Sequence, residues 1–271
     1  MNALPKYWNL LTTLDFKSID PLNAVAVLPL AATEQHGPHL PLCVDSHIVN
    51  AVVEEGLKHL PAHMQVFILP TQSVGLSTEH TAFPGTLSLS ASTMLQIGAE
   101  LGGCIARSGI RKLLILNSHG GNVGLMDLIA RDLRGTHNLL VFSTSWYQLQ
   151  ISEEAWSDFG AHEQRYGVHA GDIETSLMLH IAPDLVRMSE AKDFSSESEK
   201  RTAKYKILGD GKSAKLGWHI QDYNASGAVG RASQATAQKG KKLLEQVGIK
   251  LAQLLEELTA MPPSIFERKL R

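Results

Sequence analysis

The chain has 271 residues, a formal net charge of -2, 44% hydrophobic and 19% charged residues. Those values exclude a disordered chain and a basic nucleic-acid-binding surface. The length is enough for one large domain with a full core, and one domain over residues 1–271 is expected.

Residues 24–30, AVAVLPL, read as a buried strand. A helix is expected over 47–60, capped by Asp45 or Ser46. A second strand follows at 65–70. The next helix, 90–108, has Ser90 or Ser92 as its cap and Gly109 as its stop. The third strand is 111–117, and a helix over 122–134 follows, capped by Asn122 and stopped by Gly135. The fourth strand is 138–144. A helix runs from about Asp172 to Ile181 and ends at Pro183. A last long helix spans about 231–259, with Leu243, Leu244, Val247, Leu251, Leu254, Leu255 and Leu258 at helical spacing.

Strands and helices alternate, and the strands are apolar throughout. The pattern implies an α/β fold of three layers, with a mostly parallel sheet flanked by helices on both faces. The stretch 189–215 is polar and charged and reads as a surface excursion, extending to about 230. Cys43 and Cys104 lack Cys-x-x-Cys spacing, so neither a disulfide framework nor a thiolate zinc site is expected. No signal peptide or bilayer-spanning run is read, so a cytoplasmic protein without membrane or nucleic-acid partners is expected.

In such sheets functional loops lie beyond the carboxyl ends of the strands. Strand one runs into Glu34-Gln35-His36-Gly37, and Asp45 can return to the same place. Strand three runs into Ser118-His119-Gly120-Gly121-Asn122. Strand four runs into Ser145-Trp146-Tyr147. Carboxylates and imidazoles together suit zinc, manganese or iron(II). Each segment also has a plainer reading. Asp45 can cap a helix, and the glycines at 120 and 121 can form an anion nest. Asp172 and Glu174 can complement a helix dipole. Glu79 and His80, after strand two, can bind substrate, support ligands from behind or anchor a loop. The convergence of the segments on one sheet edge favours a metal site. His39, His47, His59, His63, His137 and His162 are read as ordinary surface or core histidines.

With LPLAATEQHGPHLPLCVD, STEHTAFPGTLSLS, NSHGGN and HAGDIETS in this order, the sequence resembles the creatininase (creatinine amidohydrolase) family. The resemblance implies hydrolysis of carbon–nitrogen bonds in amides other than ordinary peptides. It implies two divalent cations and a homohexamer. Carried onto this chain, it makes Glu34, His36, Asp45, His119 and Glu174 the metal ligands, with Asp45 bridging. His169 and Glu174 become the catalytic residues, with His169 placed for substrate contact and proton transfer. Glu79, His80, Gly120, Trp146 and His169 would bind a small amide. Creatinine-cleaving members carry a bulky aromatic and an acidic residue where this chain has Gly120 and Gly121. The double glycine is more like members acting on formylamino-pyrimidines or trimming a peptide. A phosphoesterase and an inactive binding module are the rival readings. No Lys or Arg in the motif segments disfavours the first, and a complete ligand set disfavours the second.

Overall fold

The computed structural model describes residues 4–209 and 213–262. In chain order it contains β1 (Val25–Leu30), α1 (Val44–Lys58), β2 (Val66–Ile68), α2 (Ala91–Arg107), β3 (Lys112–Asn117), α3 (Val123–His137) and β4 (Leu140–Ser145). There follow α4 (Glu153–Ser157), α5 (Ala161–Tyr166), α6 (Asp172–Ile181), β5 (Asp193–Phe194), α7 (Glu197–Lys204), β6 (Gly230–Arg231) and α8 (Ala237–Ala260). The first four strands form one parallel sheet in the order β2-β1-β3-β4. Val25 pairs with Val66 on one side and Lys112 on the other, and Lys112 pairs with Leu140.

Side chains alternate across this sheet. Val25, Val27, Leu114 and Leu116 pack on α1, α6 and α8 through Val49, Leu177, Leu243 and Leu251. Ala26, Leu28, Leu113 and Ile115 face α2 and α3 through Ile105, Ile129 and Leu133. The structure is therefore the three-layer α/β arrangement expected from the pattern. Among the described residues no helix is long and apolar enough to cross a membrane.

Several boundaries differ from expectation for identifiable reasons. Helix α1 starts at Val44 with Cys43 before it and no side-chain cap, so Asp45 lies inside the first turn and is free to face the loops. Ser90 does cap α2, accepting from Thr93 N at 3.2 Å. Helix α3 runs through Gly135, which a helix tolerates at about 1 kcal/mol. It ends at Asn138, left-handed at φ 53°. Asn122 does not cap it; its amide instead accepts from Leu76 N and donates to Ala31 O. Strand β4 is an edge strand with only Leu140 and Ser145 buried, so it is not apolar throughout. Helix α8 starts six residues later than expected, at Ala237 after the Thr236 cap, because β6 and a short 3-10 turn use residues 230–234. Strands β5 and β6 pair antiparallel and return the polar excursion to the body of the fold.

Candidate metal and active site

The carboxyl ends of the parallel strands gather every segment singled out in the sequence. The loop after β1 brings Glu34 and His36. It turns back on itself through Gly37, at φ 69°, with His36 bridged to Leu40. The first turn of α1 brings Asp45, and the first turn of α6 brings Glu174. The loop after β3 brings His119, and the short 3-10 turn Thr78–His80 brings Glu79 and His80.

Three sets of potential ligand atoms lie within 4.8 Å of one another: Glu34, Asp45 and His119; His36, Asp45 and Glu174; and Glu34, His36 and His169. The first two share Asp45. His119 Nδ1 is 3.1 Å from Glu34 Oε1 and 3.5 Å from Asp45 Oδ2. His36 Nε2 is 3.6 Å from Asp45 Oδ1 and 3.9 Å from Glu174 Oε2. Glu34 Oε2, His36 Nε2 and Asp45 Oδ2 are buried and have no hydrogen-bond partner. Buried polar atoms are ordinarily satisfied. Orphaned oxygen and nitrogen donors converging from two sides fit divalent cations, which the two sets that share Asp45 would hold.

The outer hydrogen bonds assign the imidazole tautomers. His36 Nδ1 donates to Glu34 O at 3.0 Å, which leaves Nε2 as the lone-pair nitrogen facing the carboxylates. His119 Nε2 donates to Leu76 O at 2.8 Å, which leaves Nδ1. Gln35 orders a third ring. Its Oε1 accepts from Gly37 N, and its Nε2 donates to Gly227 O and to His80 Nδ1 at 2.7 Å. His80 therefore carries its proton on Nε2, 3.4 Å from Glu34 Oε1. His169 Nε2 donates to Gln35 O at 2.8 Å. The 3.2 Å approach of Gln35 Nε2 to the same ring nitrogen is then a donor–donor contact and not a bond. The His169 ring lies between those of His36 and His80, with centroids 4.2 and 4.3 Å away.

Burial opposes charge throughout this cluster, and the neighbours decide the outcome. Burial works to lower His36, but the hydrogen bond and charge of Asp45, with Glu174 and Glu34, push it up to about 9. Burial likewise opposes charge on His119, yet Glu34, Asp45 and Glu79 push it up to about 10. Burial raises Glu174 to about 7 and lifts Asp45 above the usual carboxylate range. Burial also works to raise Glu34, but His119, His80 and His169 hold it below that range. Burial takes His80 down to about 4, and burial, with the charge of His36 and the neighbouring His80, takes His169 well below its ordinary value. Protons and cations thus compete for the same lone pairs.

The cluster forms the floor of a cavity of about 470 Å³. Trp146, Tyr147, Trp156 and Trp218 contribute to its walls, with Gly120 and His169 closer to the floor residues. Every residue expected at the site lines this cavity except His36, which is fully buried beneath it. Sequence reading assigned no role to Gln35, Glu163 or Trp218. Gln35 lay between two more conspicuous ligands. Glu163 sits in the polar run AHEQRY, which looks solvated, and Trp218 lies inside the 189–230 excursion.

The family model for creatininase, creatinine amidohydrolase, matches residues 9–255. The chain belongs to the creatininase family. It is 30% identical over 182 residues to the mycofactocin precursor peptide peptidase of Mycolicibacterium smegmatis, covering 66% of this chain and 67% of that protein. Against the peptidases of Mycobacterium ulcerans and Mycobacterium tuberculosis the match spans 59% and 60% of their length. It is 29% identical over 190 residues to the creatinine amidohydrolase of Pseudomonas putida, covering 63% of this chain and 69% of that one. A Bacteroides fragilis protein put forward as a creatinine amidohydrolase superposes with a TM-score of 0.77 at 26% identity, over 96% of this chain and 99% of the other. A manganese form of creatininase gives 0.72 over 94% and 99%, and a Zn-Zn type mutant 0.73 over 94% and 98%, both at 24% identity. Membership in the creatininase family makes this protein a hydrolase of carbon–nitrogen bonds.

Proposed function

We propose that this chain is a dinuclear metal amidohydrolase acting on a small, neutral or cationic amide. Glu34, Asp45 and His119 would hold one cation, and His36, Asp45 and Glu174 the other. The observation that carries this reading is the pair of ligand sets sharing Asp45. Zinc or manganese suits the donors, in keeping with the ions named for creatininase structures, and iron(II) suits them also. Cations bound there supply an activated water and an electrophile for the amide carbonyl.

The chain's own residues then bind, orient and move protons. His36 and His119 present fixed lone pairs because their other nitrogens are tied to the backbone. His80 holds Glu34 from behind. His169 is kept neutral by its surroundings, so once it has taken a proton from the attacking water it is a ready donor to the leaving nitrogen. Glu79, beside His119 and facing the cavity, accepts a substrate N–H. Trp146, Tyr147, Trp156 and Trp218 offer flat apolar faces, and Gly120 leaves room for the substrate. Among the described residues no lysine or arginine lines the cavity, so a substrate carboxylate or phosphate meets no cationic side chain.

Creatinine is not the favoured substrate, because Gly120 and Gly121 replace an aromatic and an acidic position. A formamide on a pyrimidine or the terminal amide of a peptide fits the open space above Gly120, where an added Cβ would meet nothing within 4 Å. The hexamer, the single domain and the cytoplasmic setting belong to this same proposal. The test is elemental analysis of protein purified without chelator, followed by a screen of cyclic amides, formamides and short peptides with metal present. Two equivalents of transition metal and turnover of an amide support the reading. A protein without metal after reconstitution overturns it.

A further inference from the structure

Helix α6 carries Glu174 in its first turn, yet its own N-cap residue, Gly171, provides no side-chain cap. The first turn of a helix presents N–H groups that need partners, and a buried helix end must find them elsewhere. Here a carboxylate from another helix lies against them. Glu163, on α5, is 2% exposed. Its Oε2 accepts from Arg231 N on β6 at 2.7 Å. Its Oε1 lies against the start of α6. The Asp172 and Ile173 N–H groups favour the charged carboxylate, although burial pushes its pKa up. No bond of strict geometry reaches Oε1.

The approach is possible only because three glycines surround the carboxylate. A Cβ at Gly171 would sit 2.1 Å from Glu163 Oε1, one at Gly167 2.3 Å, and one at Gly230 2.8 Å. Glu163 therefore contacts the backbone of the turn that carries His169, the start of α6, and β6. Between them, Ala170 is left-handed at φ 53°, and its N–H donates to Glu174 Oε2 at 2.6 Å. The carboxylate that receives that bond is one of the candidate ligands.

We infer that Glu163 is a positioning residue: it substitutes for the missing cap of α6 and thereby fixes Glu174 for the cation shared by His36, Asp45 and Glu174. The inference rests on the proposed dinuclear site. A negative charge at a helix N-terminus is favourable there, and neighbours that orient a metal ligand typically change affinity by about 10–100-fold when removed.

The test is titration with Mn²⁺ alone of the full chain and its Glu163→Gln variant, read by calorimetry and by electron paramagnetic resonance. The substituted amide is close in shape to the carboxylate but lacks its charge. The expected result is one cation weakened by about 10–100-fold while the other, held by Glu34, Asp45 and His119, keeps its affinity. Activity should fall at limiting metal and recover at saturating metal. A role confined to stability would lower the melting temperature without changing the ratio of the two affinities. The second variant, Gly167→Ala, displaces the same carboxylate with its charge retained and should loosen the same cation. Unchanged affinities, or an equal fall in both, overturn the inference. A wild-type chain that binds no Mn²⁺ overturns the dinuclear reading and this inference with it.

Discussion

Gly120 and Gly121 are neighbours in sequence, but their substitution by alanine should have opposite effects. A Cβ at Gly121 would lie 2.2 Å from Leu76 O, 2.4 Å from Glu79 Oε1 and 2.4 Å from His119 Nε2. Relief requires a shift of roughly 1 Å, given ordinary contact distances near 3.5 Å. Leu76 O is backbone and is already the partner of His119 Nε2. Overpacking of this kind costs about 1–3 kcal/mol, while replacing glycine by alanine returns about 0.4–1 kcal/mol through the unfolded chain. Gly121→Ala should therefore lose about 1–2 kcal/mol net. At Gly120 nothing lies within 4 Å of the added methyl, so only the favourable contribution remains. Thermal denaturation of both variants should show a fall of about 2–4 °C per kcal/mol for Gly121→Ala and none for Gly120→Ala. Because His119 must move, Gly121→Ala should also bind metal at least about tenfold more weakly, measured by competition with a chelating dye. Equal melting temperatures and equal metal affinity in the two variants would refute the reasoning.

Asp45→Ala should release both cations because both ligand sets use Asp45, whereas Glu174→Gln should release one; elemental analysis separates the two outcomes. Metal binding should expel protons. The elevated His36 and His119, near 9 and 10, stabilise the metal-free fold fully below about 6.5, and that contribution is lost as pH rises through those values. A cation takes the deprotonated rings, so affinity rises with pH over the same window. Calorimetry at pH 8 in buffers of different ionisation enthalpy should give about two protons released, and none would contradict the assignment. Lys112 is buried and donates to Thr259 O and Met261 O at the end of α8. Lys112→Met strands those carbonyls and should cost about 1–3 kcal/mol in urea unfolding. Activity per folded molecule should stay unchanged, since Lys112 is at the end of β3 opposite His119.

The sequence made the layer architecture legible because β1, β2 and β3 are short apolar runs, and the loops that carry Glu34, His36 and His119 follow β1 and β3 directly. Helix ends were less legible. Asp45 can be read as a cap because its charge suits any helix start, and the fold instead turns it toward His36 and His119, as the family motif implies. Gly135 reads as the stop of α3, yet the helix continues and the left-handed geometry is taken by Asn138. The outer layer of the site was largely hidden. The bond of Gln35 to His80 joins residues 45 apart in the chain, the approach of Glu163 to α6 depends on the glycines at 167, 171 and 230, and neither carries a local pattern.

The double glycine gains a physical meaning from its surroundings. The family resemblance implies an acidic residue at the position of Gly121 in members that cleave creatinine. Here the direction a side chain would take from Gly121 leads into the Glu79 carboxylate and Leu76 O. Glu79 Oε1 lies 3.5 Å from His119 Nε2, so an acidic group still stands beside this histidine, delivered by the turn after β2. The two arrangements are mutually exclusive, since two carboxylates would share one volume beside Glu34 and Asp45. They are not exchanged by one residue, because Leu76 O blocks the same direction at 2.2 Å. Glu79→Ala combined with Gly121→Glu should therefore remain less stable than Glu79→Ala alone and gain no creatinine hydrolysis. Equal stability of the two variants in chemical denaturation would show that Glu79 was the only obstacle, and that the backbone of the 76–79 turn does not set the shape of this wall.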